Sequence, residues 1–408
     1  MRVVFGVATF LVLCGLLGCD AVPPEASTTS TDVPTGVASP VEAAADHGLT
    51  AVPAPGWTAL FDRTSGWTGA DGIFSVPLDR FDQPGGDTQR TVFLFSDTAI
   101  GDVNPDGSRA TGTTLVNNTL ARLDGLAPDP SATRFWWPGG TRRPRAAFVP
   151  EGPSAGDGDW FWNGDGIALD GQVYAFLYRI GEGDGGAFNF KQKGVSLVRF
   201  DPDRPQRARQ RETPFFRPEQ GNMGDLTFGN GLLDNTTEAG APSPDGFLYV
   251  YGVRNDPFIK QLLVARVQPS AIADFSTYRF WNGREWVADL DAAVPVTDRV
   301  SNELSVSPLA DGRYLLVFQL DALGRDVAVR VGQSPVGPWS APIRVYEAPE
   351  PATDPDTFVY NAKAHPHLSS PGELLISYNV NTFDFFGDFF ADADIYRPRF
   401  IRLQGLPE

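Results

Sequence analysis

The 408-residue sequence carries 43 Gly and 35 Pro, with 29 Phe among its 12% aromatics. That density of helix breakers excludes a helical bundle, and 42% apolar residues exclude disorder for most of the chain. Lys and Arg number 33 against 50 Asp and Glu, a net charge of −17, which excludes a nucleic-acid partner and a broad anionic-membrane face. On charge alone a neutral or cationic ligand fits better.

Arg2 precedes an apolar run from Val3 to Leu17, the n- and h-regions of an export signal. The run is too short for a good spanning helix, although a plain signal peptide or an anchor helix stays open. It ends Leu16-Leu17-Gly18-Cys19, which resembles the bacterial lipobox. That resemblance implies a signal over residues 1–18, a lipid on Cys19 and a protein held on a bacterial membrane, facing periplasm or cell exterior. Cys14 would leave with the signal, so the mature body would hold no thiol for a disulfide, a zinc site or a nucleophile. Asp20 resembles an inner-membrane retention signal. Residues 19–50, rich in Ala, Ser, Thr and Pro, read as a flexible tether, and residues 51–408 as the folded body.

Five segments of that body share one plan, an apolar strand, a turn, then a second apolar strand. They start at Asp71, Asp165, Phe228, Glu303 and His365, with second strands around Thr91–Thr98, Gln172–Arg179, Gly246–Arg254, Tyr314–Gln319 and Glu373–Asn381. Third strands follow at Thr114–Arg122, Val195–Phe200, Leu262–Val267, Val327–Val331 and Arg399–Leu403. No segment keeps a 3.6-residue apolar period. The expected fold is all-β, a five-bladed β-propeller of mostly four-stranded antiparallel blades, since radial closure protects sheet edges without disulfides.

In such a blade the start of the first strand and the end of the second lie at one face. Strand starts supply Asp71, Asp165, Asn230, Glu303, His365 and His367. Strand ends supply Asp97, Arg179, Arg254, Gln319, Asn379 and Asn381. The result is a polar funnel, although Asp-Gly at 71 and 165 is also a common turn signal. His365 and His367 could share one strand face as metal ligands, bind sugar hydroxyls, or be satisfied channel residues. Asp384, Asp388, Asp392 and Asp394, set among Phe385, Phe386, Phe389 and Phe390, could hold a structural Ca²⁺, with a solvated loop preferred. Trp136, Trp137, Trp160 and Trp162 could stack on sugar rings or pack a blade edge. The sequence has no Walker loop, no His-Glu-x-x-His and no Gly-x-Ser-x-Gly.

Several motifs resemble the bacterial domains of unknown function 5005 and 4185: Ala70-Asp71-Gly72-Ile73-Phe74-Ser75, Phe95-Ser96-Asp97-Thr98, Val116-Asn117-Asn118-Thr119-Leu120, Asp245-Gly246-Phe247-Leu248-Tyr249 and Ala364-His365-Pro366-His367-Leu368. More distantly, the unit pattern resembles the propellers of glycoside hydrolase families 43 and 32. The likeness spans about Trp57 to Leu403. It implies a glycoside hydrolase acting on a poly- or oligosaccharide, a furanoside such as arabinan by the 4185 likeness, with no required cofactor. By position on the family 43 plan, Asp71 matches the base, Glu303 the acid and Asp165 the residue that tunes it, with Asp97 as a further carboxylate. The third unit departs from that plan, with Asn230 in place of an acid and Asp225 just upstream. Sugar contacts are expected from Asn230, Arg254, His365, His367, Asn117, Arg179, Gln319, Asn379 and Trp162, in a monomer. The alternative is a surface glycan-binding protein without catalysis on the same scaffold; an adhesion or assembly propeller without a sugar ligand is a third reading.

Overall fold

Strand-forming residues set between glycine and proline turns make five consecutive antiparallel sheets. A computed structural model describes residues 41–183, 190–219, 224–256 and 259–408. The expected export signal, with Cys14, the expected lipidation site Cys19 and most of the expected tether lie outside them.

Sheet one runs outward through Phe74–Pro77, Arg90–Phe95, Thr119–Asp124 and Thr133–Trp136. Sheet two uses Trp160–Leu169, Gln172–Glu182, Phe190–Phe200 and Arg209–Glu212. Sheet three centres on Leu226–Asn235, Phe247–Asp256 and Ile259–Val267, with an outer hairpin at Arg279–Trp281 and Trp286–Val287. Sheet four runs through Leu304–Pro308, Tyr314–Gln319, Asp326–Gly332 and Ile343–Glu347. Sheet five uses Thr357–Ala364, Glu373–Thr382 and Arg399–Gln404. A separate three-stranded sheet, Ser65–Ala70, Thr98–Asp102 and Thr114–Val116, leads into sheet one. The expected third strand of the first unit is therefore two strands in two sheets.

An apolar core fills each junction between successive sheets. Phe74, Leu94, Phe161 and Leu177 join sheets one and two. Phe176, Phe228, Val250 and Leu263 join two and three. Tyr251, Leu304, Leu316 and Phe318 join three and four. Val317, Val329, Val359 and Ile376 join four and five. Phe61, Trp67, Phe93, Phe95, Leu375 and Phe400 pack sheet five against sheet one. Near the inner strands backbones nearly touch: a Cβ on Gly231 would stand 2.7 Å from the Leu304 carbonyl oxygen, so only glycine fits there.

The inner strands of sheets two, three and five each slip register, between Asn163 and Gly166, Phe228 and Gly231, and Tyr360 and Lys363. Such bulges bend a strand and re-aim its side chains. Asp165, Asn230 and Asn361 sit in these three slips, and Asn361 takes a left-handed φ of 60°. In sheets one and four the corresponding side chains, Asp71 and Glu303, lie just before the strand begins.

Two expected boundaries move. The fifth inner strand is Thr357–Ala364 rather than His365–Leu368, which turns away as a 3₁₀ helix at Pro366–Leu368 because Pro366 has no amide to continue a ladder. The body also begins ahead of Ala51: Glu42–Ala43 pairs in parallel with Ile343–Arg344, and Thr50–Pro53 pairs with the C-terminal strand, Thr50 opposite Gln404. No described helix is long and apolar enough to cross a membrane.

Candidate active site

Asp71 ends the Ser65–Ala70 strand, where its amide donates to the Asp97 carbonyl (3.2 Å) and its carbonyl accepts from Ser96 N (2.8 Å). This pairing sets the two carboxylates side by side. Asp71 Oδ2 accepts from the hydroxyls of Tyr360 (2.8 Å) and Tyr396 (3.0 Å), while Oδ1 is buried with no partner among the described residues. Burial pushes the Asp71 pKa up to about 6, against the opposing pull of the two tyrosines and the Lys363 charge. Asp97 Oδ1 accepts from Asn117 Nδ2 (3.1 Å). Burial, reinforced by the negative charge of Asp71, lifts Asp97 to about 7. The Trp162 indole faces Asp97 and favours its charged form, although Nε1 falls short of good hydrogen-bond geometry.

Glu303 is buried at the start of sheet four. Its Oε1 accepts from Asn361 Nδ2 (2.8 Å) and its Oε2 contacts the buried Lys363 ammonium. That ammonium also lies 4.5 Å from the centre of the Phe74 ring, a cation–π contact. Burial raises Glu303 to about 7; Lys363 opposes the shift and Asp71 adds to it. Asp165 is fixed by its own strand and the next, with Oδ1 accepting from Gly166 N (2.8 Å) and Oδ2 from Leu232 N (2.7 Å). Burial lifts it to about 7. With several carboxyl groups raised into the neutral range, this end of the inner strands can hold one protonated carboxylic acid beside an ionised carboxylate, the requirement for acid/base catalysis.

The remaining expected residues divide into two groups. Asn117 and Trp162 join the cluster as described. Asn379 Nδ2 donates to the Ala70 carbonyl (3.3 Å) and steadies the strand that presents Asp71. Asn230 Nδ2 donates to the Asn302 carbonyl next to Glu303 (2.5 Å), leaving its Oδ1 buried and unpartnered. Trp162 lies 6.2 Å from Trp160 and 4.7 Å from Phe190, centroid to centroid.

Arg179, Arg254 and Gln319 turn to structural partners instead. Arg179 pairs with Asp159 (2.9 Å) and Glu212 (3.1 Å) and donates to the Lys193 carbonyl. Arg254 pairs with Asp256 (3.1 Å) and contacts Gln261 on its own hairpin. Gln319 Nε2 donates to the Asp326 carbonyl (2.8 Å). All three stand on second strands, where Arg179 and Gln319 satisfy carbonyls of the adjacent third strand or its approach and Arg254 bonds side chains of its own hairpin.

The two histidines are also corrected. They follow the inner strand of sheet five and so lie beyond its far end. His365 is wedged between Ser75 Oγ (2.7 Å) and Ser377 Oγ (2.8 Å), and burial, with Lys363 and His367 adding to it, holds its pKa well below the ordinary value. His367 bonds Asp82 (2.8 Å) and Thr91 Oγ (3.1 Å). With both ring nitrogens of each histidine engaged, neither offers a metal a free lone pair. In the acidic run, Asp384 caps the Phe385–Ala391 helix, Asp388 accepts from Thr382 (2.7 Å) and Asp394 pairs with Arg397 (2.7 Å). Among the described residues no three His, Cys, Asp or Glu side chains converge as a metal would need.

Sequence reasoning missed Tyr360, Asn361, Lys363 and Tyr396. The first three precede the histidine motif that had been read as the fifth strand. Tyr396 lies on the loop after the acidic run, where its φ of 75° is the local mark of a constrained position. Arg109 holds that loop, donating to the carbonyls of Phe389, Ala393 and Ile395 and to Thr68.

In sequence, no curated protein matches the chain. Among solved structures, a presumed hydrolase from Bacteroides ovatus superposes with a TM-score of 0.65 at 19% identity, covering 91% of this chain and 93% of that one, and so shares the fold. An endo-arabinase from Bacteroides thetaiotaomicron (13% identity, 76% and 92% coverage, TM-score 0.37) and a family 43 glycoside hydrolase from Xanthomonas citri solved with xylotriose (13%, 85% and 92%, 0.40) overlap more loosely, and no argument rests on them. The sequence model of the domain of unknown function 5005 matches residues 56–406, a span that takes in all five inner strands and every carboxylate of the cluster. The chain belongs to that family.

Proposed function

We propose that the protein is a glycoside hydrolase whose reaction runs at Asp71, Asp97 and Glu303. The observation that carries this reading is Asp71: two tyrosine hydroxyls fix one carboxylate oxygen, the other is left free, and further carboxyl groups raised to near neutrality stand beside it. In the reaction the free oxygen accepts a proton from the attacking water, or attacks the anomeric carbon itself, and a neighbouring carboxylic acid protonates the leaving oxygen. Glu303 is that acid in the family 43-like assignment, with Asp165 held by backbone amides as the charge that tunes it. A second assignment makes Asp97 the acid, favoured because no cation among the described residues pairs with it and the negative charge of Asp71 helps to hold its proton.

The wider reading follows the same lines. The five sheets close into a five-bladed propeller, supported by an apolar core at every junction and by the bonds from His365 to Ser75 and from Tyr360 to Asp71. The sugar is a furanoside such as arabinan, the mature protein is a monomer, and a lipid on Cys19 holds it at a bacterial membrane, outside the cytoplasm. The test is release of reducing ends from a panel of arabinans, xylans and cell-wall glycans. The Asp71→Asn variant should release none while keeping its thermal midpoint. Glycan binding without release by the unaltered protein selects a binding function in place of catalysis.

A further inference from the structure

Although the chain is strongly acidic, one stretch of its surface is not. Between Ser131 and Pro150 there are four arginines, Arg134, Arg142, Arg143 and Arg145, and no Asp or Glu. All four are exposed. Many arginines elsewhere find a carboxylate, as Arg80 does with Asp234, Arg299 with Asp321 and Arg397 with Asp62, while others, such as Arg211 and Arg279, bond backbone carbonyls. Among the described residues, these four have no carboxylate within ion-pair distance. Arg204, Arg207 and Arg209, exposed on the connection after Phe200 and at the start of the outer strand of sheet two, likewise have none, although Asp201 and Asp203 belong to the same connection.

The two groups adjoin. Gln210 Nε2 donates to the Val149 carbonyl (2.9 Å), Glu151 N donates to Gln210 Oε1 (3.0 Å), and the Phe148 and Phe200 rings pack 5.1 Å apart. The fold also sets like charges opposite each other, Arg122 against Arg134 and Arg199 against Arg209 across paired strands. Such pairs are unfavourable unless a counter-charge is present; Asp124 and Asp203 supply one to Arg122, and Asp203 also pairs with Arg90, whereas Arg134, Arg199 and Arg209 have none among the described residues. Protection of a sheet edge would account for Arg209, but Arg142, Arg143 and Arg145 lie on a loop outside any strand.

The loop returns to the candidate active site. Phe148 N donates to Asn118 Oδ1 (2.7 Å), and Asn118 Nδ2 donates to the carbonyls of Phe148 (2.9 Å) and Phe161 (3.0 Å). Asn118 adjoins Asn117, which bonds Asp97, and Phe161 adjoins Trp162. The loop that carries Arg142, Arg143 and Arg145 thus reaches the link between strands that holds Asn117 and crosses to the outer edge of sheet two, where Arg204, Arg207 and Arg209 stand toward the other end of the ladder.

We infer that this surface binds an anionic polysaccharide, one carrying carboxylate, sulfate or phosphate groups on units remote from the bond being cleaved. The inference rests on the glycan-acting reading above. Carboxylates at the reacting centre disfavour a charged sugar there, whereas arginines along the track favour charge further along the same polymer. A polymer suits a track that extends across two sheets better than a small anion does.

The test is native affinity electrophoresis of the full-length chain through gels containing polygalacturonate, dextran sulfate or neutral arabinan, with and without added salt. Two variants are compared, Arg142→Gln/Arg143→Gln/Arg145→Gln and Arg204→Gln/Arg207→Gln/Arg209→Gln, each checked for an unchanged thermal midpoint. Retardation is expected in at least one anionic gel, weakened about tenfold by either variant and by salt well above the physiological level. Absence of retardation in both anionic gels, or retardation indifferent to the arginines or to salt, overturns the inference. So does binding to phosphatidylglycerol vesicles in place of the polyanions, which would make the patch a membrane surface. Hydrolysis of a neutral glycan with no arginine-dependent binding sinks this inference alone. Arginine-dependent binding without any hydrolysis sinks the catalytic reading alone.

Discussion

The two ends of the inner strands are both lined with buried polar groups, yet they are built on opposite principles. At the end that holds Asp71, Asp97 and Glu303, polar atoms are left over: one Asp71 oxygen and the Asn230 carbonyl oxygen are buried without partners, and burial raises every carboxylate. At the other end fewer are left over among the described residues, the Asn235 carbonyl oxygen and the Ser307 hydroxyl, and the raised carboxyl of Asp234 is ion-paired. Arg80 bonds Asp234 through both Nε (3.0 Å) and Nη2 (2.8 Å), His367 bonds Asp82 and Thr91, and His365 bonds two serines. Buried polarity alone therefore does not mark a site. What distinguishes the first end is a raised carboxylate that itself keeps an unpartnered oxygen, Asp71, beside other raised carboxyl groups, an arrangement that is costly for stability.

The largest expected effect separates the ends by activity. Asp71→Asn should lower glycan release by roughly 10²–10⁴-fold, as loss of an acid/base group does. His367→Phe, at the satisfied end, should leave kcat per folded molecule unchanged. A fall of comparable size in His367→Phe would erase the distinction. Next in size is a stability effect at the active end. Lys363→Met leaves Glu303 buried without its cation and should destabilise by roughly 3–5 kcal/mol, measured by chemical denaturation. Adding Glu303→Gln to it should recover much of the loss. His367→Phe should itself lose roughly 1–3 kcal/mol, from the partners it leaves unbonded.

Two finer measurements sharpen the picture. Tyr360→Phe or Tyr396→Phe removes a donor that favours the Asp71 carboxylate, so its pKa rises. Because the base acts ionised, the acidic limb of the kcat/KM profile should move to higher pH, by about half a unit to one unit. A limb that stays in place would separate Asp71 from the base role. The smallest effect is on thermal stability. The folded-state pKa of Asp97 lies above its unfolded value, so its ionisation opposes folding increasingly as pH rises from about 4 through about 7. Asp97→Asn should therefore match the wild type near pH 4 and melt about 2 °C higher above pH 7. A gain confined to acid pH would reverse the sign and refute the shift.

The strand pairs were legible because alternating apolar residues and glycine turns act locally. Asp71, Asp165, Asn230 and Glu303 were legible as the polar residues that open or interrupt an apolar strand. The fifth inner strand was not, because a bulge at Asn361–Ala362 and the charged Lys363 that follows interrupt the apolar pattern of Thr357–Ala364, while the His-Pro-His motif after it looks like a strand start. Nor could sequence tell a free polar group from a satisfied one. Arg179 and Arg254 read as funnel cations, but Asp159, Glu212 and Gln261 reach them only through the fold, and Asp256 is a local partner on the same strand as Arg254. The tyrosines on Asp71 come from about 290 and 325 residues further along the chain. No local signal announces such a meeting, and the left-handed backbone at Tyr396 is visible only once the loop is folded.

The strand at Thr50–Pro53 has a consequence in time. It pairs with Arg399–Gln404, Ala51 opposite Leu403, so among the first residues to enter the described fold are those that must wait for nearly the last. Sheet five cannot be finished while the chain is still being made, and a growing chain retains an open edge until its C-terminal strand arrives. Completion of the fold, and with it assembly of Asp71, Tyr360 and Tyr396 into one site, is thus deferred until the strand at Arg399–Gln404 is available.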